Sequence, residues 1–545
     1  MRAGGRARTI SYAVIPILGI LFLLWYIRTA AADVVYSDYI RLINDYLPDV
    51  GDRSRFLVPD ILTRIPATFL ARLVNVRNFG FSVTFDRMLT VLGMGLIAVA
   101  LAIYAARMEI GFGWQLILGA VLFSLNKWEI LLNGTAWAHV VSFGLFFINY
   151  LLLDLFWKGE SDSRQELVLC LMPVIWLLFA GEYIASYAVT MMLVSLFGIL
   201  AGGGAGLTRS RGKGMFEGIL AFTVLALALY LWSRHYAVWE HAGSTELSLK
   251  EAVLSQPLFF PRFFIKTFAG ALLGQETIAS FAGGQALPDN AVLVLGILVL
   301  CAYFLAFALY IQEEMMEKTV FPLVLLVSGF LNHVLVTVGR WIFLREDYAL
   351  SSRYSGQFMI GIIGILLVFA LYGRHRQRGP QRVVQQRKRR IHRLVLAVSV
   401  FIVLGNCYTT YQEIRKAPYR EANYERMQEA ILSYESQPEE ELLQTLEWHK
   451  DPAVLYNALR ILKENKLNVF GGAQAENASG PDAKAAPGGK TSPDGKDPSE
   501  GETAPDDGNP SEGETAPEGE GVSANETAPA DENLPEAETS QADAA

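Results

Sequence analysis

Long apolar runs alternate with short polar connections along most of the chain, and the runs have lengths that suit a lipid bilayer. A bilayer core takes about 20 mostly apolar residues per helix. Eleven runs meet or approach that length: Thr9–Tyr26, Met88–Ala106, Trp114–Leu132, Val140–Trp157, Leu167–Ala180, Ala185–Ala201, Gly218–Ser233, Ala291–Tyr310, Val320–Val338, Gln357–Tyr372 and Leu394–Asn406. They predict an all-α fold, a polytopic transmembrane helix bundle of about eleven spans. The third run carries Asn126, Lys127 and Glu129, so it is expected to end early or to dip back at the outer surface. After the last run, Tyr424, Met427, Ile431 and Tyr434 share a helical face, and Leu442, Leu443, Leu446, Leu455, Leu459 and Leu462 continue the pattern. This predicts a small helical region packed on the end of the membrane domain.

Lys and Arg near the ends of spans set the orientation. Under strict alternation Arg2, Arg6 and Arg8, then Arg209, Arg211 and Lys213, and the nine Lys/Arg of Arg374–Arg393 all fall on one side. That side is expected to be the cytoplasm, which leaves the N-terminus cytoplasmic and the C-terminal tail extracytoplasmic. The acidic segment Gln312–Lys318 fits less well, but acids count little in this rule. The apolar stretch Ile10–Ile27 is long for a cleaved signal peptide and more spans follow, so it reads as a retained anchor. The domain plan is a membrane domain over 1–410, with outer loops 32–87, 236–290 and 339–355, then a helical appendage over 411–472 and a tail over 473–545.

Composition supports this plan and splits the chain in two. Charged residues make up 18% of the 545, where a soluble domain carries about a quarter. The net charge of −8 describes neither part: residues 473–545 hold 18 acids and 3 bases, which leaves 36 acids and 43 bases for the rest. The tail has no aromatic residue and repeats Glu-Thr-Ala-Pro at Glu502–Pro505, Glu514–Pro517 and Glu526–Pro529. Such a segment cannot bury enough apolar surface to offset its ordering entropy, so it is expected to be a disordered, solvated spacer. Cys170, Cys301 and Cys407 each sit inside apolar runs, which argues against disulfides and cysteine-based metal sites.

No Gly-rich phosphate loop and no His-Glu-x-x-His helix is present, and the seven His are scattered. ATP-driven transport by this chain alone and zincin-type hydrolysis are therefore excluded, and nucleic acid is not an expected partner. Candidate chemistry gathers at the predicted outer ends. Asp33 and Asp38 lie just beyond the first span, where an acid could take a proton from a hydroxyl at the lipid–water boundary. Arg340, Arg345 and Arg353, with Tyr354, run against the positive-inside bias; arginines aimed at a phosphate gain paired, charge-assisted hydrogen bonds, whereas snorkelling at the interface would be the bland role. Glu182, in a short outer turn, faces either the same cavity or water. The aromatic segment Gln256–Phe268 reads as an interfacial helix, a packed bundle helix or a wall beside a lipid substrate. No cofactor is expected; a divalent metal at the acidic loop has no ligand spacing behind it.

Several stretches resemble multispanning bacterial membrane proteins with the layout of the C-type (GT-C fold) glycosyltransferases. They are Ser37-Asp38-Tyr39, Arg53-Ser-Arg55 with the apolar residues after it, Phe123-Ser-Leu-Asn-Lys-Trp-Glu129, Gly339-Arg340…Ala349-Leu-Ser-Ser-Arg353-Tyr354, and Leu455…Lys466-Leu-Asn-Val-Phe470. Ser37 stands where that pattern has an acid, no His precedes Arg55, and Lys127 stands in place of Gln. The resemblance implies a glycosyltransferase-like protein of the bacterial plasma membrane. It would transfer a sugar from a polyprenyl-phosphate donor to a cell-envelope glycan, lipid or protein acceptor on the outer face. Asp38 would be its catalytic acid or base; Arg340 and Arg353 would bind donor phosphate, with Tyr354 shaping the pocket and Arg55 a second phosphate candidate. Two other classes compete: a transporter or flippase of a lipid-linked substrate, against which the lack of an internal repeat counts, and a non-catalytic scaffold that displays the acidic tail.

Overall fold

Apolar runs in a bilayer leave backbone N–H and C=O groups no partner but each other, and they close into helices. The computed structural model of the chain describes residues 3–57, 66–179, 181–203, 206, 208–234, 244–275, 277–278, 289–375 and 382–471, and among them it is all helix and loop. The acidic segment 473–545, with its repeats, Arg2 and part of the basic 374–393 stretch lie outside the described residues. In chain order the helices are α1 (Ala3–Ala30), α2 (Asp38–Tyr46), α3 (Pro66–Phe79), α4 (Val83–Arg107), α5 (Phe112–Leu122), α6 (Trp128–Leu132), α7 (Trp137–Trp157), α8 (Ser163–Ile175) and α9 (Ile184–Ala201). They continue with α10 (Arg209–Arg234), α11 (Leu249–Ser255), α12 (Phe259–Gly270), α13 (Asp289–Gln312), α14 (Phe321–Arg340), α15 (Ser352–His375), α16 (Arg382–Leu432), α17 (Glu439–Thr445) and α18 (Pro452–Glu464).

Ten helical stretches among the described residues are long and apolar enough to cross a membrane. The fifth expected span is not one of them: it folds as the 13-residue α8, with Pro173 inside it, and a 3-10 turn over Trp176–Leu178. The segment nevertheless traverses the bundle. The Gly206 amide, beyond the end of α9, donates to the carbonyl of Trp157, the last residue of α7, at 3.2 Å. Before the start of α9, the Tyr183 ring packs on His139 and Phe143 in the first turns of α7. Thus α7 and α9 run parallel, and the chain between them must return across the layer.

The third run breaks as its polar residues predict. Helix α5 stops at Leu122, and a 3-10 turn over Leu125–Lys127 leads into α6. The irregular backbone is buried in protein, where Ser124 Oγ donates to Asn406 Oδ1 at 2.8 Å and the Leu125 amide donates to Thr410 Oγ1 at 3.0 Å.

Helix α15 fills the centre. Its residues from Phe358 to Tyr372 are buried on every side, as befits a helix that is apolar all round. A Cβ at Gly329 of α14 would collide with the Gly361 backbone of α15, so glycine is what lets these two helices approach so closely. At the basic end of the bundle, buried Asp154 accepts from the Val320 and Phe321 amides at 2.7 and 3.2 Å, capping α14, and from Lys158 Nζ at 2.6 Å. Arg107 pairs with Glu160, and Arg211 with Glu166, at this same end.

Helix α16 runs through residue 410 without a break. Its 51 residues form one continuous helix of about 75 Å, so the last span and the start of the appendage are a single rod. Its far third, with α17 and α18, docks on the 32–87 region. Tyr36 and Tyr424 share a hydrogen bond at 3.1 Å, Asn44 donates to the Val454 carbonyl at 3.0 Å, and the Asn468 amide donates to the Gly80 carbonyl at 2.7 Å.

Candidate functional site

The end of the bundle opposite the basic one is built on a buried ionic floor. Asp86 in the first turn of α4 is fully buried and pairs with Arg72 of α3, itself fully buried; Tyr39 Oη donates to Asp86 Oδ2 at 2.8 Å. Burial works against the Arg72 guanidinium most strongly, and the Asp86 charge, Tyr39 and the Asp86 hydrogen bond together outweigh it, raising Arg72 above its ordinary value. Arg87, also buried, donates through Nε to the Leu132 carbonyl at 2.8 Å and through Nη1 to the Ala32 carbonyl at 2.7 Å. These bonds fix the ends of α1 and α6 and the start of α2 against α4.

Asp33 belongs to this floor. Its Oδ2 accepts from Ser82 Oγ at 2.7 Å, and its Oδ1 accepts from the Val83 and Thr84 amides at 2.6 and 3.2 Å. A carboxylate on the free amides at a helix start caps it and meets the positive end of its dipole. Both Asp33 oxygens are thus engaged in holding the start of α4.

Above the floor, Glu129 pairs with the Arg353 guanidinium, and Asp38 and Glu447 come within its electrostatic reach. Asp38 is the first residue of α2, half-buried, and it accepts no hydrogen bond from the described residues. Arg353, the second residue of α15, pairs through Nε with Glu129 of α6, whose other oxygen accepts from Ser352 Oγ at 3.0 Å. The Arg353 side chain is still 47% exposed, leaving room for a second partner. The third carboxylate is Glu447, in the turn between α17 and α18. The Ser37 amide donates to the Leu446 carbonyl at 2.8 Å, which sets Glu447 beside Asp38. The charges of Asp38 and Glu129 act on both Arg353 and Glu447. Glu447 is exposed as a residue, but protein atoms crowd its carboxyl. That partial burial is the main cause raising it above the usual carboxylate value; Glu129 and Asp38 push the same way, while Arg353 and His449 pull against them. Behind Glu129, the Arg420 guanidinium lies 3.2 Å from the centre of the Trp128 ring and is held by buried Glu413 at 2.6 and 3.0 Å.

The other arginines are arranged around this cluster in different ways. Arg340 lies 5.7 Å over the ring of buried Tyr354, the neighbour of Arg353. Arg345 is exposed and forks onto Asp347 at 2.6 and 3.2 Å, and that hydrogen bonding holds the Asp347 carboxyl below its usual range. Arg55 donates to the Asp45 carbonyl at the end of α2. Glu182 lies in a 3-10 turn over Gly181–Tyr183, and its side chain is outside the described residues.

The aromatic segment is α12, and its inner face is bundle packing: Phe263, Lys266, Thr267 and Phe268 are buried. Arg262 and Lys266 each pair with both Asp289 and Glu346, tying α12 to the start of α13 and to the 346–350 turn. The Gly270 carbonyl at its end accepts from Asn126 Nδ2 at 3.2 Å and Ser355 Oγ at 3.1 Å, next to the Arg353 turn. Just beyond, an apolar groove of about 720 Å³ is lined by Leu272, Leu273, Val294, Leu295 and Leu404.

Asp38, Arg353, Arg340 and Tyr354 thus come to one end of the bundle, as their sequence setting suggested. Glu129 stood out in sequence as a polar residue interrupting the third run and as part of the Trp-Glu stretch, not as a site residue. Glu447 carried no signal, being one acid among several in an amphipathic region. Among the described residues, no group of three or more His, Cys, Asp or Glu side chains is arranged to hold a metal ion. No family model, no curated protein and no solved structure matches the chain.

Proposed function

We propose that this chain is a membrane-embedded glycosyltransferase-like enzyme that moves a sugar from a polyprenyl-phosphate donor to a cell-envelope acceptor at the outer face of the bacterial plasma membrane. The observation that carries the reading is that Asp38, whose carboxylate accepts no hydrogen bond from the described residues, lies within electrostatic reach of Arg353, whose guanidinium is paired with Glu129 and still 47% exposed. A guanidinium with free donors on a half-open face suits a phosphate oxygen. A carboxylate with free acceptor positions beside it suits a hydroxyl that must lose its proton.

In this reading Glu129 and Ser352 hold Arg353 in place, and Arg340 above Tyr354 supplies a second cation near the phosphate. The apolar groove beyond Gly270 is of a size and lining that suit a prenyl chain. Asp38 takes the acceptor hydroxyl proton, the acceptor oxygen bonds to the anomeric carbon, and the bond from that carbon to the phosphate oxygen breaks. In this reading the ten long helical stretches cross the membrane and the shorter α8 segment is an eleventh crossing. With the basic end in the cytoplasm, the N-terminus is then inside and the site outside.

The test is transfer by the purified full chain in lipid nanodiscs, given radiolabelled polyprenyl-phosphate sugars and an envelope extract. Label should move to an acceptor with wild type and not with Asp38→Ala. Equal transfer by both proteins removes Asp38 from the chemistry, and no transfer by folded wild type with any donor defeats the enzyme reading.

A further inference from the structure

The C-terminal region looks in sequence like an appendage, yet it contributes a charged group to the site. The Ser37 amide and the Leu446 carbonyl form a single hydrogen bond of 2.8 Å between the first outer segment and the α17–α18 turn. One residue further on in each segment stands an acid, Asp38 in one and Glu447 in the other. Ser37 and Glu447 both adopt positive φ, 51° and 53°, a region that costs non-glycine residues energy and persists where surrounding structure enforces it. Here the surroundings are the Tyr36–Tyr424 hydrogen bond, the Asn44 contacts with Val454 and Asn457, and Asn468 bonded to Gly80 and Phe81. The two turns are held so that both acids reach the charge field of Arg353.

We propose that Glu447 is a second catalytic residue, the acid that protonates the departing phosphate oxygen while Asp38 accepts the acceptor's proton. The inference rests on the transfer reading above and deepens it. The step balances. The acceptor O–H proton goes to Asp38, and the acceptor oxygen bonds to the anomeric carbon. The bond from that carbon to the phosphate oxygen breaks with its electron pair on oxygen, and that oxygen takes the Glu447 proton. Exchange through water then returns Asp38 and Glu447 to their starting forms.

Two carboxyls divide such roles when their surroundings separate their protonation. The groups that act on Glu447 are Arg353 at the start of α15, Glu129 on α6, Asp38 on α2 and His449 on its own turn, with Tyr36 and Tyr424 feeling its charge in return. Partial burial and two carboxylates favour its acid form, and Arg353 is the guanidinium best placed for the phosphate. The acid therefore stands where a leaving phosphate would be bound.

A prenyl methyl phosphodiester mimics the donor and does not titrate between about pH 5 and about pH 8. Its binding to the full chain in nanodiscs reads Glu447 without any chemistry. Wild type should bind it more tightly at the acid end of that range than at the alkaline end, because the folded-state carboxyl is raised above its ordinary value and charges as pH rises. Glu447→Gln should bind with no such slope, and its transfer rate, where measurable, should lose the alkaline decline. A slope kept unchanged in Glu447→Gln overturns the proposal while leaving the phosphate site standing. No binding by wild type at any pH, or binding untouched by Arg353→Ala, overturns the phosphate reading and the Glu447 role with it.

Discussion

Arg353 and Glu129 lie 224 residues apart in the chain and meet as an ion pair at the mouth of the bundle, with Ser352 closing on the second Glu129 oxygen. Arg353 acts on Glu447 and is acted on by Asp38 and Glu129, so its removal leaves the charges of these carboxylates less compensated. Arg353→Ala should weaken binding of a prenyl phosphodiester by at least about tenfold, the effect of one charge-assisted pair. Arg353→Lys should restore only part of it, because a point charge cannot serve Glu129 and a phosphate with the geometry of a planar fork. Isothermal titration on the nanodisc protein measures both, and full affinity in Arg353→Ala would place the phosphate elsewhere.

Asp33 and Asp38 are five residues apart and should separate cleanly by experiment. Asp38 has open acceptor positions, so Asp38→Asn should lower the turnover rate by about 10²- to 10⁴-fold, the usual range for losing a general base, with phosphodiester binding retained. Asp33 caps α4 through both oxygens, so Asp33→Ala should cost about 1 kcal/mol of stability and leave the chemical step nearly unchanged. Thermal unfolding and single-turnover transfer on the two variants give the answer; equal kinetic losses would contradict the assignment of Asp33 to positioning.

What could be read from the sequence depended on whether a signal was local. Spans were legible because each is its own apolar run, and the break after Leu122 was legible because Asn126, Lys127 and Glu129 interrupt one. The α8 segment, expected as the span Leu167–Ala180, forms only a short helix with Pro173 inside it, and the parallel run of α7 and α9 is what requires the chain to return between them. Asp38 and Arg353 stood out through unusual placement near predicted outer ends. Glu447 did not, because its relation to Asp38 arises from the Ser37–Leu446 bond between segments more than 400 residues apart, and no periodicity encodes that. Asp33 shows the opposite difficulty. An acid just past a span looks the same in sequence whether it faces a substrate or caps the next helix.

Arg72 and Asp86 test the floor. Both are fully buried, and Arg72 Nε and Nη1 have no hydrogen-bond partner, so Asp86 is what compensates the cation. Arg72→Ala leaves Asp86 charged and alone in the interior and should cost about 3–5 kcal/mol. The double variant Arg72→Met with Asp86→Leu removes both charges and should recover most of that loss. Tyr39→Phe, which deletes the hydroxyl donated to Asp86, should cost about 1 kcal/mol. Denaturation of the detergent-solubilised full chain reports all three, and a double variant no better than Arg72→Ala would show that packing, not charge, dominates there.

Glu447 leaves a signature in stability as well as in activity. Its carboxyl in the folded chain is raised above the ordinary 4.5, first by partial burial and then by Glu129 and Asp38. The folded state therefore holds this proton more tightly than the unfolded chain does. That contribution is fully present below 4.5 and is lost as pH rises through the folded-state value. Above that value wild type carries a charged Glu447 in a crowded, acid-rich turn. Glu447→Gln stays neutral throughout, so its melting temperature relative to wild type should climb as pH rises through this window and level off beyond it. Arg353→Ala removes the larger of the two opposing cationic influences, so in that background the climb should extend to higher pH and be larger in total. A difference between Glu447→Gln and wild type that stays flat across the window, in both backgrounds, would mean that the carboxyl is solvated like any surface acid.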